Sequence, residues 1–210
     1  MHQLLINPNT RHDLTHSLVQ AAQGDVPLLG ETAAFGADYI ASEAGYAVAA
    51  HAALDAYERH AAQHGRPTAV LVGCFGDPGV WALREMAEVP VMGLAEAAMR
   101  EADALGPFAI VTGGKAWGPM LARLARSQGI THLRRVITID AGGDRLLAEP
   151  TAAVHSLQQA IDRACLDTAL AAVVLGGAAL TGFAPKLSAS LPLIDSVQAG
   201  SRWLRSAPMR

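Results

Sequence analysis

The sequence predicts an α/β fold made of two similar lobes, each a mostly parallel sheet flanked by helices, with a cleft between them. Short apolar runs alternate along the chain with longer, Ala-rich segments of helical pattern. Strands separated by a helix need crossover connections, which pair the strands in parallel. The apolar runs are nearly continuous, as in strands that are buried on both faces.

Each apolar run is predicted to be a strand and each Ala-rich segment a helix. The predicted strands are Gln3–Ile6, Ala69–Val72, Val89–Met92, Phe108–Val111, Leu133–Ile139, Ala172–Leu175 and Leu191–Ile194. The predicted helices are Asp38–His64, Pro78–Met86, Leu94–Ala104, Ala116–Gln128, Thr151–Asp167, Leu180–Ala189 and Val197–Ser206. Gly and Pro residues follow several of these helices, as expected where helices end.

The two halves of the chain repeat the same succession of segments. Ala69–Gly79 and Ala172–Gly182 each predict a strand that runs into a Gly-rich turn. A short strand with Pro at its second position follows each of them. The repeat predicts one lobe from residues 1–98 with 195–210 and another from residues 99–194. It also makes Gly177 the counterpart of Cys74.

Composition excludes several classes of protein. The 210 residues are 51% hydrophobic and 17% charged, which excludes a disordered chain. The formal net charge is -3, and Lys and Arg form no cluster, so no nucleic-acid partner is expected. The longest apolar stretch falls short of the roughly 20 residues that a bilayer requires, so no membrane partner is expected. A small-molecule substrate is the expected partner.

Targeting and metal-binding signals are missing from the sequence pattern. The first residues lack the basic and apolar regions of a signal peptide, which predicts a cytoplasmic protein. The 2 cysteines are too few for a disulfide framework or a zinc cage. Histidine pairs with zinc-ligand spacing lack an acidic partner, so no metal is expected.

Cys74 is the main candidate for chemistry, because it lies where a predicted strand ends and a helix begins. Backbone N–H groups at a helix N-terminus stabilise negative charge, which predicts a thiolate. Ligands of α/β folds bind at this edge of the sheet. Alternatively, Cys74 is a small buried residue, as most free cysteines are. Asp77, three residues later, either tunes the thiol or suits the helix dipole, whereas Cys165 shares an apolar helical face and is expected in the core.

Polar loops after two other strands are candidate substrate-binding segments. Asn7, Asn9 and Thr10 carry amide and hydroxyl groups that donate to an anion, although they also suit a plain turn and helix cap. Thr112 and Gly113 occupy the corresponding loop of the second half, where glycine allows close approach of a ligand. The P-loop spacing is missing, so a nucleotide is not indicated.

These motifs resemble those of a known group of enzymes. Leu-Leu-Ile-Asn-Pro-Asn-Thr, Gly-Cys-Phe-Gly-Asp-Pro-Gly and Val-Thr-Gly-Gly-x-x-Trp are similar to motifs of the aspartate/glutamate/hydantoin racemase superfamily, and most of all to its hydantoin/allantoin racemases. The resemblance implies two pseudo-symmetric lobes with the active site in the cleft between them, a homo-oligomer, and catalysis without a cofactor. In the family mechanism, one cysteine removes the Cα proton and an opposite cysteine delivers one.

The resemblance makes Cys74 the first catalytic cysteine. The second belongs in a Leu-Gly-Cys-Ala-Gly type of motif, where this chain has Gly177, and glycine neither takes nor gives a proton. Thr181 and Asp195 are candidate replacements for that acid. The substrate's oxygens are expected to contact the polar loops and the backbone of the two Gly-rich turns, that is Asn7, Asn9, Thr10, Phe75, Thr112, Gly113, Gly177 and Ala178.

The expected function is an isomerase that transfers a proton at the Cα of a small carboxylate or a 5-substituted hydantoin. Three alternatives remain open. A single cysteine suits a decarboxylase of substituted malonates, although the similar arylmalonate decarboxylases keep the second-lobe cysteine. A non-catalytic small-carboxylate binder is a second alternative. A Cys–His hydrolase is the third, with His12 as its candidate base.

Overall fold

The computed structural model describes residues 1–140, 146 and 148–208, which form two four-stranded parallel sheets flanked by helices. The strands of the first sheet are β1 Gln3–Asn7, β2 Leu28–Thr32, β3 Val70–Val72 and β4 Val91–Gly93. Those of the second are β5 Phe108–Gly113, β6 Leu133–Ile139, β7 Ala172–Gly176 and β8 Leu193–Asp195. The predicted α/β class and the two-lobe architecture are confirmed.

Seven α-helices lie in the described part of the chain, and two short 3₁₀ turns accompany them. The helices are α1 His12–Ala22, α2 Glu43–His64, α3 Val80–Ala87, α4 Leu94–Leu105, α5 Trp117–Ser127, α6 Pro150–Cys165 and α7 Ser196–Ser206. The 3₁₀ turns are Ala178–Leu180 and Ala184–Lys186. None of these helices has the length and apolar character that crossing a bilayer requires.

The two sheets have the same strand order. The first is ordered β2-β1-β3-β4 and the second β6-β5-β7-β8, with parallel pairing throughout. Val72 pairs with Gly93 in the first sheet, and Leu175 pairs with Asp195 in the second. The carboxyl ends of the inner strands therefore carry the turns that the sequence repeat singles out.

Helix α7 follows the second sheet but packs against the first lobe. It contacts α1 and α4, and a close approach at Gly200 makes this packing possible. A Cβ at Gly200 would lie 2.8 Å from Cδ2 of Leu94 and 3.0 Å from Cδ2 of Leu71. A larger residue would therefore require the side chains of Leu94 and Leu71 to move.

The structure adds two elements that the sequence does not predict, α1 and β2, and corrects two predicted helices. β2 escaped the apolar pattern because it is an edge strand with exposed Leu29 and Gly30. Helix α2 begins at Glu43 rather than at residue 38, because the side chain of Ser42 accepts a hydrogen bond from Gly45 N and caps it. The predicted helix over residues 180–189 is replaced by the 3₁₀ turns, consistent with the left-handed backbone of Gly182 (φ 80°).

Candidate active site

A cavity of about 60 Å³ lies at the carboxyl ends of the inner strands, between the two lobes. Each lobe contributes part of its wall. From the first lobe come Asn9, Leu14, Tyr39, Ile40, Cys74 and Phe75. From the second come Thr112, Gly113, Trp117, Leu146, Gly176, Gly177, Ala178, Ala179 and Leu180.

Most of the residues singled out from the sequence line this one cavity. They are Cys74, Asn9, Phe75, Thr112, Gly113, Gly177 and Ala178. Asn7 and Thr10 do not. Asn7 is fully buried, and Thr10 lines a separate surface depression with His12. The structure therefore does not place these two residues in the wall of the cavity, and their contact with a substrate stays a prediction.

Asn7 acts on the cavity only through its neighbour Asn9. Its Nδ2 donates to Asn9 Oδ1 (2.8 Å), to the backbone oxygen of Arg11 (3.0 Å) and to Thr15 Oγ1 (3.0 Å). Asn9 Oδ1 also accepts from the backbone N–H of Arg11 at 3.0 Å. A backbone N–H only donates, so the oxygen of the Asn9 amide must face Arg11. The Asn9 side chain is thereby oriented to offer its Nδ2 hydrogens as donors.

The thiol of Cys74 is only 8% exposed, and its environment favours the protonated form. Burial raises the pKa of Cys74 far above the usual thiol range, and the negative charge of Asp77 acts in the same direction. The helix N-terminus that the sequence predicts beside the thiol is not found there. Helix α3 begins only at Val80, after a turn in which the N–H groups of Gly76 and Asp77 donate to Cys74 O.

Asp77 does not interact with the N-terminus of α3 but caps a different helix. Its Oδ1 accepts from Ala95 N and its Oδ2 from Glu96 N, both at 2.8 Å, at the start of α4. Gln128 Nε2 donates to Oδ2 at 3.3 Å. The carboxyl is buried, and burial raises the pKa of Asp77 to about 7 against the lowering effect of these donors.

Two aromatic rings close the cavity by packing across the lobes onto glycine. The ring of Phe75, in the first lobe, lies over Gly176, where an added Cβ would be 2.1 Å from Phe75 Cε1. The ring of Trp117, in the second lobe, lies over Gly76, where a Cβ would be 2.3 Å from Trp117 Cζ3. The contacts are reciprocal, so the spacing of the lobes at the cavity depends on both glycines.

The candidate replacements for the missing second thiol are engaged elsewhere. Thr181 Oγ1 donates to Ala178 O at 2.6 Å, and Asp195 accepts from Val197 N and Gln198 N at the start of α7. Neither lines the cavity. His12 is exposed and also lies outside it, so the hydrolase alternative has no histidine among the described cavity residues.

Several apolar residues of the cavity wall have no signal in the sequence. Tyr39 and Ile40 lie in the irregular segment before α2, where the sequence predicts helix. Trp117 lies at the start of α5. Its place in the cavity wall depends on Gly76, because the absence of a side chain there leaves room for the Trp117 ring. The positive φ of Gly36 (107°) in the segment before Tyr39 fits a loop rather than a helix.

Sequence comparison relates this chain to hydantoin racemases. The family described as Asp/Glu/Hydantoin racemase matches residues 4–203. The chain is 34% identical to a hydantoin racemase of Paenarthrobacter aurescens, covering 96% of this chain and 89% of that protein. It is 29% identical to a hydantoin racemase of Pseudomonas sp. (strain NS671), with 95% and 82% covered.

Solved structures give the same picture of the fold. An allantoin racemase from Klebsiella pneumoniae has a TM-score of 0.88 at 28% identity, covering 98% of this chain and 86% of that chain. A liganded mutant of arylmalonate decarboxylase has a TM-score of 0.66 at 16% identity, with 98% and 92% covered. The second likeness concerns the fold alone.

Proposed function

Because this chain belongs to the Asp/Glu/hydantoin racemase family and is thereby an enzyme of the isomerase class, we propose that it transfers a proton at the Cα of a 5-substituted hydantoin. Cys74 is the acid and base of this reaction, which needs no cofactor. One observation carries the proposal: Cys74 is the one thiol among the described cavity residues, and the donor amide of Asn9 and Thr112 share that cavity.

The lining of the cavity favours a neutral ring with carbonyl groups over a dicarboxylate. None of the described lining residues is charged, and most of them are apolar. Burying a carboxylate without a cationic partner costs several kcal/mol, whereas a ring carbonyl needs only hydrogen-bond donors. Asn9 supplies such donors, and Leu14, Ile40 and Trp117 offer apolar surface for the ring substituent. The hydantoin racemases among the relatives act on substrates of this kind, as their names state.

The reaction needs the form of Cys74 that has lost its proton to solvent, and this thiolate takes the proton from the ring carbon next to a carbonyl. The electron pair of the broken C–H bond moves onto the carbonyl oxygen, and the Nδ2 donors of Asn9 stabilise the resulting enolate. The thiol exchanges its hydrogen with solvent and then delivers a proton to the carbon. Gly177 carries no acid, so protonation of the opposite face of the ring carbon needs water. Protonation from the Cys74 side is therefore expected to be faster.

NMR in deuterated buffer tests this proposal. Separate enantiomers of several 5-substituted hydantoins are incubated with the wild-type enzyme and with Cys74→Ser. Deuterium should enter the ring carbon only with the wild type, with retention of configuration faster than inversion. Equal exchange with Cys74→Ser contradicts the assignment of Cys74. Thermal stabilisation by a hydantoin without any exchange would instead favour the non-catalytic binder.

A second candidate, decarboxylation of a substituted malonate, is favoured by the burial of Cys74, which raises the pKa of its thiol and so suits a proton donor. Loss of CO₂ breaks a C–C bond and leaves its electron pair on Cα, so this step needs no base. The Cys74 thiol then protonates Cα, and the thiolate regains a proton from water. CO₂ release from aryl- or alkylmalonates that requires Cys74, with no exchange of hydantoins, would select this reaction.

A further inference from the structure

Helix α4 obtains its N-terminal cap from a distant part of the chain. The residue at its own cap position, Gly93, has no side chain. The carboxylate of Asp77 takes that place and accepts from the N–H groups of Ala95 and Glu96, both at 2.8 Å. A Cβ at Gly93 would lie 2.0 Å from Asp77 Cγ, so this arrangement requires glycine there.

Helix α7 is the equivalent of α4 in the second half of the chain, and the residue just before α7 caps it. Asp195 occupies the position that corresponds to Gly93, at the end of the last strand of its sheet. Its Oδ1 accepts from Val197 N (2.8 Å) and Gln198 N (3.0 Å), at the start of α7. Each helix therefore has one capping carboxylate, but only the one in the first lobe comes from the turn of Cys74.

That turn is tied to Asp77 by its backbone. The N–H groups of Gly76 and Asp77 both donate to Cys74 O, at 3.0 and 3.2 Å. Asp77 is 1% exposed and has a left-handed backbone (φ 56°), which an aspartate adopts when its surroundings hold it there. Gln128, which follows α5 of the second lobe, donates to the same carboxylate at 3.3 Å. Asp77 thus joins the Cys74 turn to both α4 and the second lobe.

We propose that Asp77 is a positioning residue, which holds the thiol of Cys74 in the cavity by fixing its turn on the N-terminus of α4. The inference rests on the proposed function in taking Cys74 as the acid and base. Loss of the carboxylate leaves the N–H groups of Ala95 and Glu96 without their acceptor and removes one anchor of the turn, while the Tyr46 hydroxyl still donates to Gly76 O at 2.9 Å. The Cys74 thiol then becomes accessible, and its alignment with the substrate carbon is lost.

Alkylation of Cys74 by iodoacetamide tests the inference, with Asp195→Ala as the matched control. Cys165→Ser in every variant leaves Cys74 as the only thiol. The rate constant is measured at one fixed pH, because burial raises the pKa of Cys74 too far for the rate to reach a plateau. Asp77→Asn removes the charge but keeps one acceptor, so it reports how the charge alone affects the pKa of Cys74. Asp77→Ala should react about tenfold or more faster than Asp77→Asn, while Asp195→Ala, which also loses a helix cap, stays within about twofold of wild type. A rate for Asp77→Ala within twofold of that of Asp77→Asn, or equal rates in Asp77→Ala and Asp195→Ala, overturns the inference.

Proton exchange of a hydantoin supplies the readout on catalysis. Asp77→Ala should lower kcat by about tenfold with little change in KM, since alignment and not binding is lost. Asp195→Ala should change neither constant. If the wild type exchanges the ring-carbon hydrogen of no hydantoin, the proposed function fails. The comparison of alkylation rates between the variants still decides the role of Asp77. If Asp77→Ala does not fold, Asp77→Ser, whose hydroxyl is one bond shorter than the carboxylate, is compared with Asp77→Asn in the same way.

Discussion

The ring of Phe75 occupies the space that a side chain at Gly176 would need. An added Cβ would lie 2.1 Å from Cε1 and 2.3 Å from Cζ of that ring, well inside van der Waals contact. Phe75 follows β3 of the first lobe, and Gly176 ends β7 of the second. The contact therefore fixes how closely the two Gly-rich turns approach each other at the cavity.

Gly176→Ala should displace Phe75 and disturb the cavity. Overpacking a well-filled site costs roughly 1–3 kcal/mol, because rings and backbone must shift. Urea unfolding should show this loss together with lower Cys74-dependent exchange. Gly118→Ala is the control, since a Cβ there meets only Thr138 Cγ2 at an ordinary 3.9 Å. It should be neutral or slightly stabilising because alanine favours helix. Equal stability of the two variants would contradict this account of Gly176.

Asn9→Asp should abolish most proton transfer without unfolding the loop. The new carboxylate still accepts from Asn7 Nδ2 and Arg11 N, the two donors that hold the present oxygen. It offers no hydrogen to the enolate and places a negative charge beside it. The exchange rate should fall by about 10²–10³-fold, as for loss of an oxyanion donor. Circular dichroism should be unchanged. Exchange at the wild-type rate would mean that Asn9 does not contact the reacting carbonyl.

The buried carboxyl of Asp77 should make stability fall as pH rises towards neutrality. Its pKa is about 7 in the folded protein against 3.8 for an ordinary aspartate, because burial disfavours the charge. Between these values the folded protein keeps a proton that the unfolded chain releases, so the contribution is full below pH 3.8 and is lost as pH rises through about 7. Each pKa unit corresponds to about 1.4 kcal/mol, which gives a few kcal/mol in all.

The measurement compares urea unfolding of the wild type and of Asp77→Asn from acid to neutral pH. Asparagine does not titrate, so the difference between the two free energies of unfolding should shrink or change sign as pH rises through about 7. Histidines contribute equally to both proteins and cancel. A difference that stays constant with pH would show that the pKa of Asp77 is the same in the folded and the unfolded protein.

The sequence predicts those parts of the site that follow directly from strand ends. Cys74, Thr112 and Gly177 come after buried apolar runs, and parallel pairing brings their turns to one edge. It does not predict which helix Asp77 caps, because its partners in α4 follow in the chain only after another helix and strand. Nor does it predict that Asn7 is buried, since a loop asparagine looks the same whether it faces a ligand or a neighbour.

Gly177→Cys should restore a second acid on the turn that corresponds to that of Cys74. A Cβ at Gly177 would lie 3.3 Å from Leu180 Cγ, so that side chain must move by a few tenths of an ångström. The backbone φ of 150° also disfavours any residue other than glycine, and the strain should cost about 1–3 kcal/mol. Chiral chromatography of a single hydantoin enantiomer should then show faster inversion than the wild type. The double variant Cys74→Ser with Gly177→Cys serves as the control. Inversion that persists there would mean that the new thiol works without Cys74, whereas its loss would show that the two thiols act on opposite faces of one substrate.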